Sequence, residues 1–302
     1  MKQKKSWAER LLHLVSYLPL WWLYRLSDLI FPIVYHLVRY RRQVVQENLK
    51  NSFPELTEKE RHKIEYRFYR FFCDYAVETI KLMTMSQEEM KRRMTFVGVD
   101  QMDAELEKQP FCFLMLGHYA NWEWISSLPL WSKHHAGQLY TPLHDHTMDD
   151  IFYHMRCRMG AENISKNDAY RRILTLRKEK TPTHIGFISD QSPAPMNIHD
   201  WMTFLHQDTP IFNGAERIGK HVGAAAYFAH VERPRRGYYV CHVERLTSDM
   251  KEFEDYKLSE LFMHRLEREI KECPYLWLWT HRRWKYNREY VAAEKAAYHN
   301  KK

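Results

Sequence analysis

Hydrophobic and polar positions follow three textures along this chain, and each predicts a different kind of element. The first is almost unbroken apolar sequence. Leu11 to Tyr24 (LLHLVSYLPLWWLY) and Leu29 to Val38 (LIFPIVYHLV) are separated by Arg25 and Asp28, preceded by MKQKK and closed by RYRR at 39–42. The second, over 43–93, is helical. Thr57 and Glu60 have capping-box spacing before EKERHKIEYRFYRFFCDYAVETIKL, and Ser86 and Glu89 repeat it before a shorter helix. From Met94 onward, apolar runs of strand length (TFVGV, FCFLML, QLYTPL, HIGFIS, AAYFAHV, YYVCHVERL) alternate with helical stretches (DQMDAELEK, NWEWISSLPLW, MDDIFYHMRCRM, DAYRRILTLRKE, NGAERIGKHV). RPRRG at 233–237 predicts a hairpin turn between the last two strands, and a long helix is expected from Tyr256 to Glu272.

This alternation predicts an α/β fold with a mixed, largely parallel central sheet flanked by helices and an antiparallel edge. The expected division is a membrane-anchoring helical segment (1–42), a helical lead-in (43–93), the α/β domain (94–288) and a polar tail (289–302) that frays.

The apolar start does not read as a signal peptide, since no small-residue cleavage site follows it. As one helix it would exceed the ~20 apolar residues that cross a bilayer. Arg25 and Asp28 would then sit near mid-depth at several kcal/mol each if unpaired. Pro19 and Pro32 divide it into pieces too short to span. With basic flanks and interfacial rings at Trp21, Trp22 and Tyr24, the segment is expected to dip into or lie along the cytoplasmic leaflet. A single span and a buried helix pair are the alternatives.

The 302 residues hold 46 Lys+Arg against 38 Asp+Glu, a net charge of +8 that favours an acidic partner: nucleic acid, anionic headgroups or an acidic carrier protein. With 45% hydrophobic residues the chain buries a real core, which excludes a disordered scaffold. Five scattered cysteines without CxxC spacing exclude a disulfide framework and point to a reducing compartment. GxGxxG, Walker A and GxSxG motifs are absent. His134, His135, His144 and His146 are irregularly spaced without HExxH, so no metal is expected; a metal-dependent hydrolase around His144 and His146 is a remote alternative. YLWLWTHRRWK (275–285) interleaves Trp277, Trp279 and Trp284 with Arg282, Arg283 and Lys285, which suits an anionic membrane surface, nucleic acid or a core Trp stripe with a solvated edge. The apolar N-terminus makes the membrane the more economical of these.

The strongest candidate chemistry is FCFLMLGHYANWEW. An apolar strand ends at Leu116, Gly117 permits a turn, and His118 falls at the C-terminal edge where open α/β sheets place their ligands. Glu123 follows five positions later, and on a continuous helix the two side chains would diverge by ~140°. They meet if His118 lies in the turn and Glu123 in the first turn of a helix capped by Asn121. A carboxylate on the imidazole would fix its tautomer and raise its basicity, as a general base requires. The H-x4-acid spacing also occurs at His144/Asp149 and His264/Glu269, in a polar loop and on a charged helix, so only its setting singles out His118/Glu123. A structural His beside a helix cap is the plainer alternative. Asp190 and Gln191 follow HIGFIS at another strand end, as site residues or a turn cap. Arg156, Arg158 and Lys166 offer cations for a phosphate or oxyanion, or ordinary helix-terminus chemistry.

In order and spacing, the apolar N-terminus, RRQVVQENLKNSFPELTEKER, GHYANWEW, YTPLHDHTMDDIFYHMRCRMGAENISK, FISDQSP, TPIFNGAERIGKHVGAAAYFAHVERP and PYLWLWTHRRWK resemble the bacterial lipid A biosynthesis (lauroyl/myristoyl) acyltransferase family, within the lysophospholipid acyltransferase-like superfamily. The resemblance implies fatty acyl transfer from an acyl carrier protein (or CoA) thioester to a hydroxyl of a lipid acceptor at the cytoplasmic face of the inner membrane. No cofactor and no nucleic acid are then expected. The family's H-x4-[DE] motif falls on His118, as base, and Glu123, as its orienter. Arg158 or Arg156 would bind acceptor phosphate or the oxyanion, and Asp190 and Gln191 would shape the acceptor site; Lys166 and Asn121 are further substrate-binding candidates. The segment QSPAPMNIHDWMTFLHQDTP matches the family less closely and leaves the acceptor open to an aminolipid, glycolipid or lysophospholipid. A non-catalytic membrane- or nucleic-acid-binding protein is the alternative of another class.

Overall fold

The computed structural model describes residues 7–299, so the basic MKQKK run lies outside the described residues. Helix α1 (Trp7–Ser16) turns at Pro19 into α2 (Leu20–Pro32), which passes through Pro32 into a π-helical turn at Ile33–Leu37 instead of breaking there. Helices α3 (Arg42–Ser52), α4 (Glu58–Leu82) and α5 (Gln87–Arg93) follow. The expected caps form. Thr57 Oγ1 accepts from Glu60 N while the Glu60 carboxylate accepts from Thr57 N, and Ser86 Oγ accepts from Glu89 N.

The α/β part then runs through β1 (Met94–Val97), α6 (Val99–Leu106), β2 (Phe111–Leu116), a 3-10 helix (Trp122–Leu130), β3 (His135–Tyr140), α7 (His146–Cys157) and β4 (Glu162–Ser165). It continues with α8 (Ala169–Lys178), β5 (Thr183–Ile188), the small hairpin β6 (Trp201–Phe204) and β7 (Gln207–Pro210), α9 (Gly214–Val222), β8 (Ala224–Arg235) and β9 (Tyr238–Thr247). Helices α10 (Lys257–Glu272) and α11 (Arg288–His299) end it. The tail expected to fray is therefore helical through α11, with Val291 buried.

The main sheet has the order β1-β9-β8-β2-β5-β3-β4 and is parallel throughout except between β8 and β9. The antiparallel pair lies one place in from the edge, because β1 adds on outside β9 in parallel. Arg236–Gly237 make the expected hairpin turn. At the centre, β2 is buried on both faces between β8 and β5, as its uninterrupted apolar sequence requires. The helix expected over NWEWISSLPLW is 3-10, with Pro129 inside it and residues from Trp122 to Leu128 buried.

One hydrophobic core runs from Leu20 and Leu23 on α2 to Trp279. The α2 face that repeats Leu20, Leu23, Ser27 and Phe31 packs on α4. Buried polar bonds fasten this contact: Ser27 donates to Asp74 at 2.8 Å, and Arg236 bridges Asp74 and Asp28. Asp28 is thus paired with Arg236 and Arg70. Among the described residues no helix is long and apolar enough to cross a membrane. Beside Arg10 and Arg25, α1, α2 and the turn between them nonetheless expose many apolar side chains: Trp7, Leu11, Leu14, Tyr17, Leu18, Trp21, Trp22 and Leu29.

The Trp/Arg-rich end corrects the membrane-surface expectation. Trp277, Trp279 and Arg283 are buried, so the stripe belongs to the core, with Arg282 and Lys285 on its solvated edge.

Candidate active site

Strand register builds the site. Leu116 of β2 pairs with Ile188 of β5 in a parallel ladder, so two residues further on His118 and Asp190 emerge side by side at the C-terminal edge. Asp190 Oδ1 lies 2.6 Å from His118 Nδ1, and its Oδ2 accepts from the His118 backbone N–H at 2.8 Å and the Trp277 indole N–H at 2.9 Å. Burial pushes the Asp190 carboxyl up. The charge of His118, its ring and backbone hydrogen bonds and the Trp277 indole outweigh that and hold it down at about 2. An ionised Asp190 keeps a proton on Nδ1 and leaves Nε2 as the acceptor, where the Gln191 side-chain amide donates at 3.2 Å. His118 is half-buried, with the Trp122 ring edge-on at 5.2 Å between centroids and the Tyr75 ring packed on Trp122 at 4.1 Å.

The loop that carries His118 is pinned. Leu278 N donates to His118 O at 3.1 Å and Ala120 N to Leu276 O at 2.9 Å. Ala120 sits in the left-handed region at φ 49°. Gly117 is required for room: a Cβ there would come within 2.7 Å of Leu266 Cδ1 and 3.4 Å of Asp190 Oδ2.

Glu123 does not orient His118. It lies where expected, in the first turn of a helix capped by Asn121, but its carboxylate takes a bidentate pair from Arg156, with Nε at 2.7 Å and Nη2 at 2.6 Å. Tyr75 Oη donates to it at 3.4 Å. The partner of His118 is Asp190, which the sequence placed at a strand end without assigning it to the imidazole. The two positions share one signal, an offset of two residues past an apolar strand. Trp277 and Tyr75 lie in elements with no comparable mark.

Asn121 is fully buried and its amide is engaged within the protein, with Oδ1 accepting from Trp124 N at 3.2 Å and Nδ2 donating to Glu78 at 2.7 Å. Arg158 is exposed and donates to the Met85 carbonyl, and Lys166 is exposed after β4; neither is brought to His118. His144 in a loop and His146 at the start of α7 are both exposed, and among the described residues no group of three or more His, Cys, Asp or Glu is arranged to hold a metal.

Residues 6–286 match the profile of bacterial lipid A biosynthesis acyltransferases, nearly the whole chain. The protein belongs to that family. A search of curated proteins found no match. Membership in the bacterial lipid A biosynthesis acyltransferases makes the strand-edge His118–Asp190 pair part of an acyl-transfer enzyme.

Proposed function

We propose that this family member transfers a fatty acyl chain from an acyl carrier protein or CoA thioester to a hydroxyl of a lipid A precursor, with His118 as general base. The observation that carries the reading is the hydrogen bond between His118 Nδ1 and buried Asp190, which leaves Nε2 as a proton acceptor at the sheet edge. The acceptor hydroxyl replaces Gln191 on Nε2 and gives up its proton as its oxygen attacks the thioester carbonyl. The new C–O bond forms, the C–S bond breaks, and the proton passes from Nε2 to the leaving thiolate. Asp190 stabilises the imidazolium between those steps.

Arg156 spends Nε and Nη2 on Glu123, which leaves Nη1 for the oxyanion or an acceptor phosphate. Glu123 holds that guanidinium in place. The exposed apolar side of α1 and α2 supports attachment to the cytoplasmic leaflet of the inner membrane, where lipid acceptors lie.

The test is transfer in detergent micelles from radiolabelled acyl carrier protein thioester to a total lipid extract, with wild type beside His118→Ala. A labelled lipid made by wild type alone supports the reading, and its identity separates a lipid A precursor from an aminolipid or lysophospholipid. Equal labelling by folded His118→Ala sinks the base assignment. No product from either protein shifts weight to a binding role.

A further inference from the structure

The proposed chemistry leaves Glu78 of α4 unused, although it is fully buried. Burial raises its pKa above the ordinary carboxylate value, opposed by Arg233 and the hydroxyls of Tyr239 and Tyr24. Three side-chain donors from three elements converge on it: Tyr24 Oη of α2 at 2.8 Å, Asn121 Nδ2 of the His118 loop at 2.7 Å and Tyr239 Oη of β9 at 2.7 Å. Its backbone carbonyl also accepts the Trp124 indole N–H at 3.3 Å.

A carboxylate only accepts hydrogen bonds, so it fixes the sense of the Asn121 amide, with NH2 toward Glu78 and Oδ1 toward Trp124 N. A Gln at 78 has one acceptor oxygen in place of two and an NH2 that cannot accept, so it cannot take all three bonds from Asn121, Tyr24 and Tyr239 as the carboxylate does. The fixed amide adjoins Ala120 in its left-handed conformation, and strained residues persist only where the surroundings over-determine them. The strap at Leu276 and Leu278 holds one side of the loop, and Glu78 holds the other.

We propose that Glu78 is a positioning residue for acyl transfer: through Asn121 it holds the loop that aims His118, and through Tyr24 it ties that loop to α2. The inference rests on the reading of His118 as base. Because α2 also exposes Trp21 and Trp22, the tie joins the apolar outer surface to the catalytic loop through two hydrogen bonds.

The experiment measures kcat and KM of the full chain in micelles for wild type, Glu78→Gln, Tyr24→Phe, the double variant and His118→Ala, each checked for a cooperative melting transition. Glu78→Gln is expected to lose about 10- to 100-fold in kcat, as small misplacements of a catalytic group do, with donor KM within about 2-fold. Tyr24→Phe loses less, and the double variant is no worse than Glu78→Gln, since both act through one network. Wild-type kcat in folded Glu78→Gln, or losses that multiply in the double variant, overturns the proposal. Should Glu78→Gln fail to fold, Tyr24→Phe, which removes one oxygen, decides alone, and wild-type kcat there overturns the proposal. An active His118→Ala overturns the base reading and this inference with it, whereas an inactive His118→Ala beside a fully active Glu78→Gln overturns the positioning role alone.

Discussion

His118 and Asp190 stand 72 residues apart in sequence and share a hydrogen bond because parallel register carries both past the ends of neighbouring strands. Asp190→Asn keeps the shape but no longer fixes the Nδ1 proton, so kcat is expected to fall about 10²- to 10⁴-fold while the protein stays folded; steady-state kinetics measures it. Glu123 makes a different prediction. Glu123→Gln leaves the Arg156 guanidinium with its anion gone, a loss of about 3 kcal/mol in denaturant unfolding. His281 tests the surroundings of the pair. Burial lowers its pKa to about 4 from an ordinary 6.5, with Asp190 opposing and His118 adding to the effect. The unfolded chain therefore binds this proton first as pH falls, and stability declines between about 6.5 and 4. His281→Gln should flatten that decline in Tm measured against pH.

At the scale of elements, the strands and helices with strong periodicity were legible, as were the caps at Thr57 and Ser86. The β6–β7 hairpin was not, because WMTF and QDTP are too short and mixed in polarity to carry a period. The Glu123 assignment failed for a related reason. Spacing along the chain reports neighbours on one element, whereas the partner of His118 is set across the sheet. The burial of Trp277 and Trp279 was equally hidden, since a basic aromatic run reads alike in a core and at an interface. The strand-to-loop junction carries its own prediction. Gly117→Ala drives a Cβ into Leu266, costing about 1–3 kcal/mol and displacing His118, and Leu266→Ala in the same chain should restore part of the activity.

Across the whole molecule, net positive charge and exposed apolar side chains together set what it meets. The net charge of +8 suits an acidic carrier or phosphorylated lipid, while α1 and α2 turn tryptophans outward over a face already stapled to α4 by Asp74 and Arg236. That face is expected to hold the protein on anionic vesicles. Trp21→Ser with Trp22→Ser and Leu29→Ser should abolish flotation with such vesicles yet leave Tm nearly unchanged, because the three side chains are 57%, 51% and 69% exposed. Full flotation of this triple variant would move the attachment surface elsewhere.

The central claim is that His118 and Asp190 act as one base, and single-turnover acyl transfer by His118→Ala, Asp190→Asn and the double variant tests it most directly. Residues that act as a unit are not additive, so each single variant should lose most of the rate and the double variant no more than His118→Ala alone. A wild-type rate in folded Asp190→Asn, or losses that multiply in the double variant, would contradict the account.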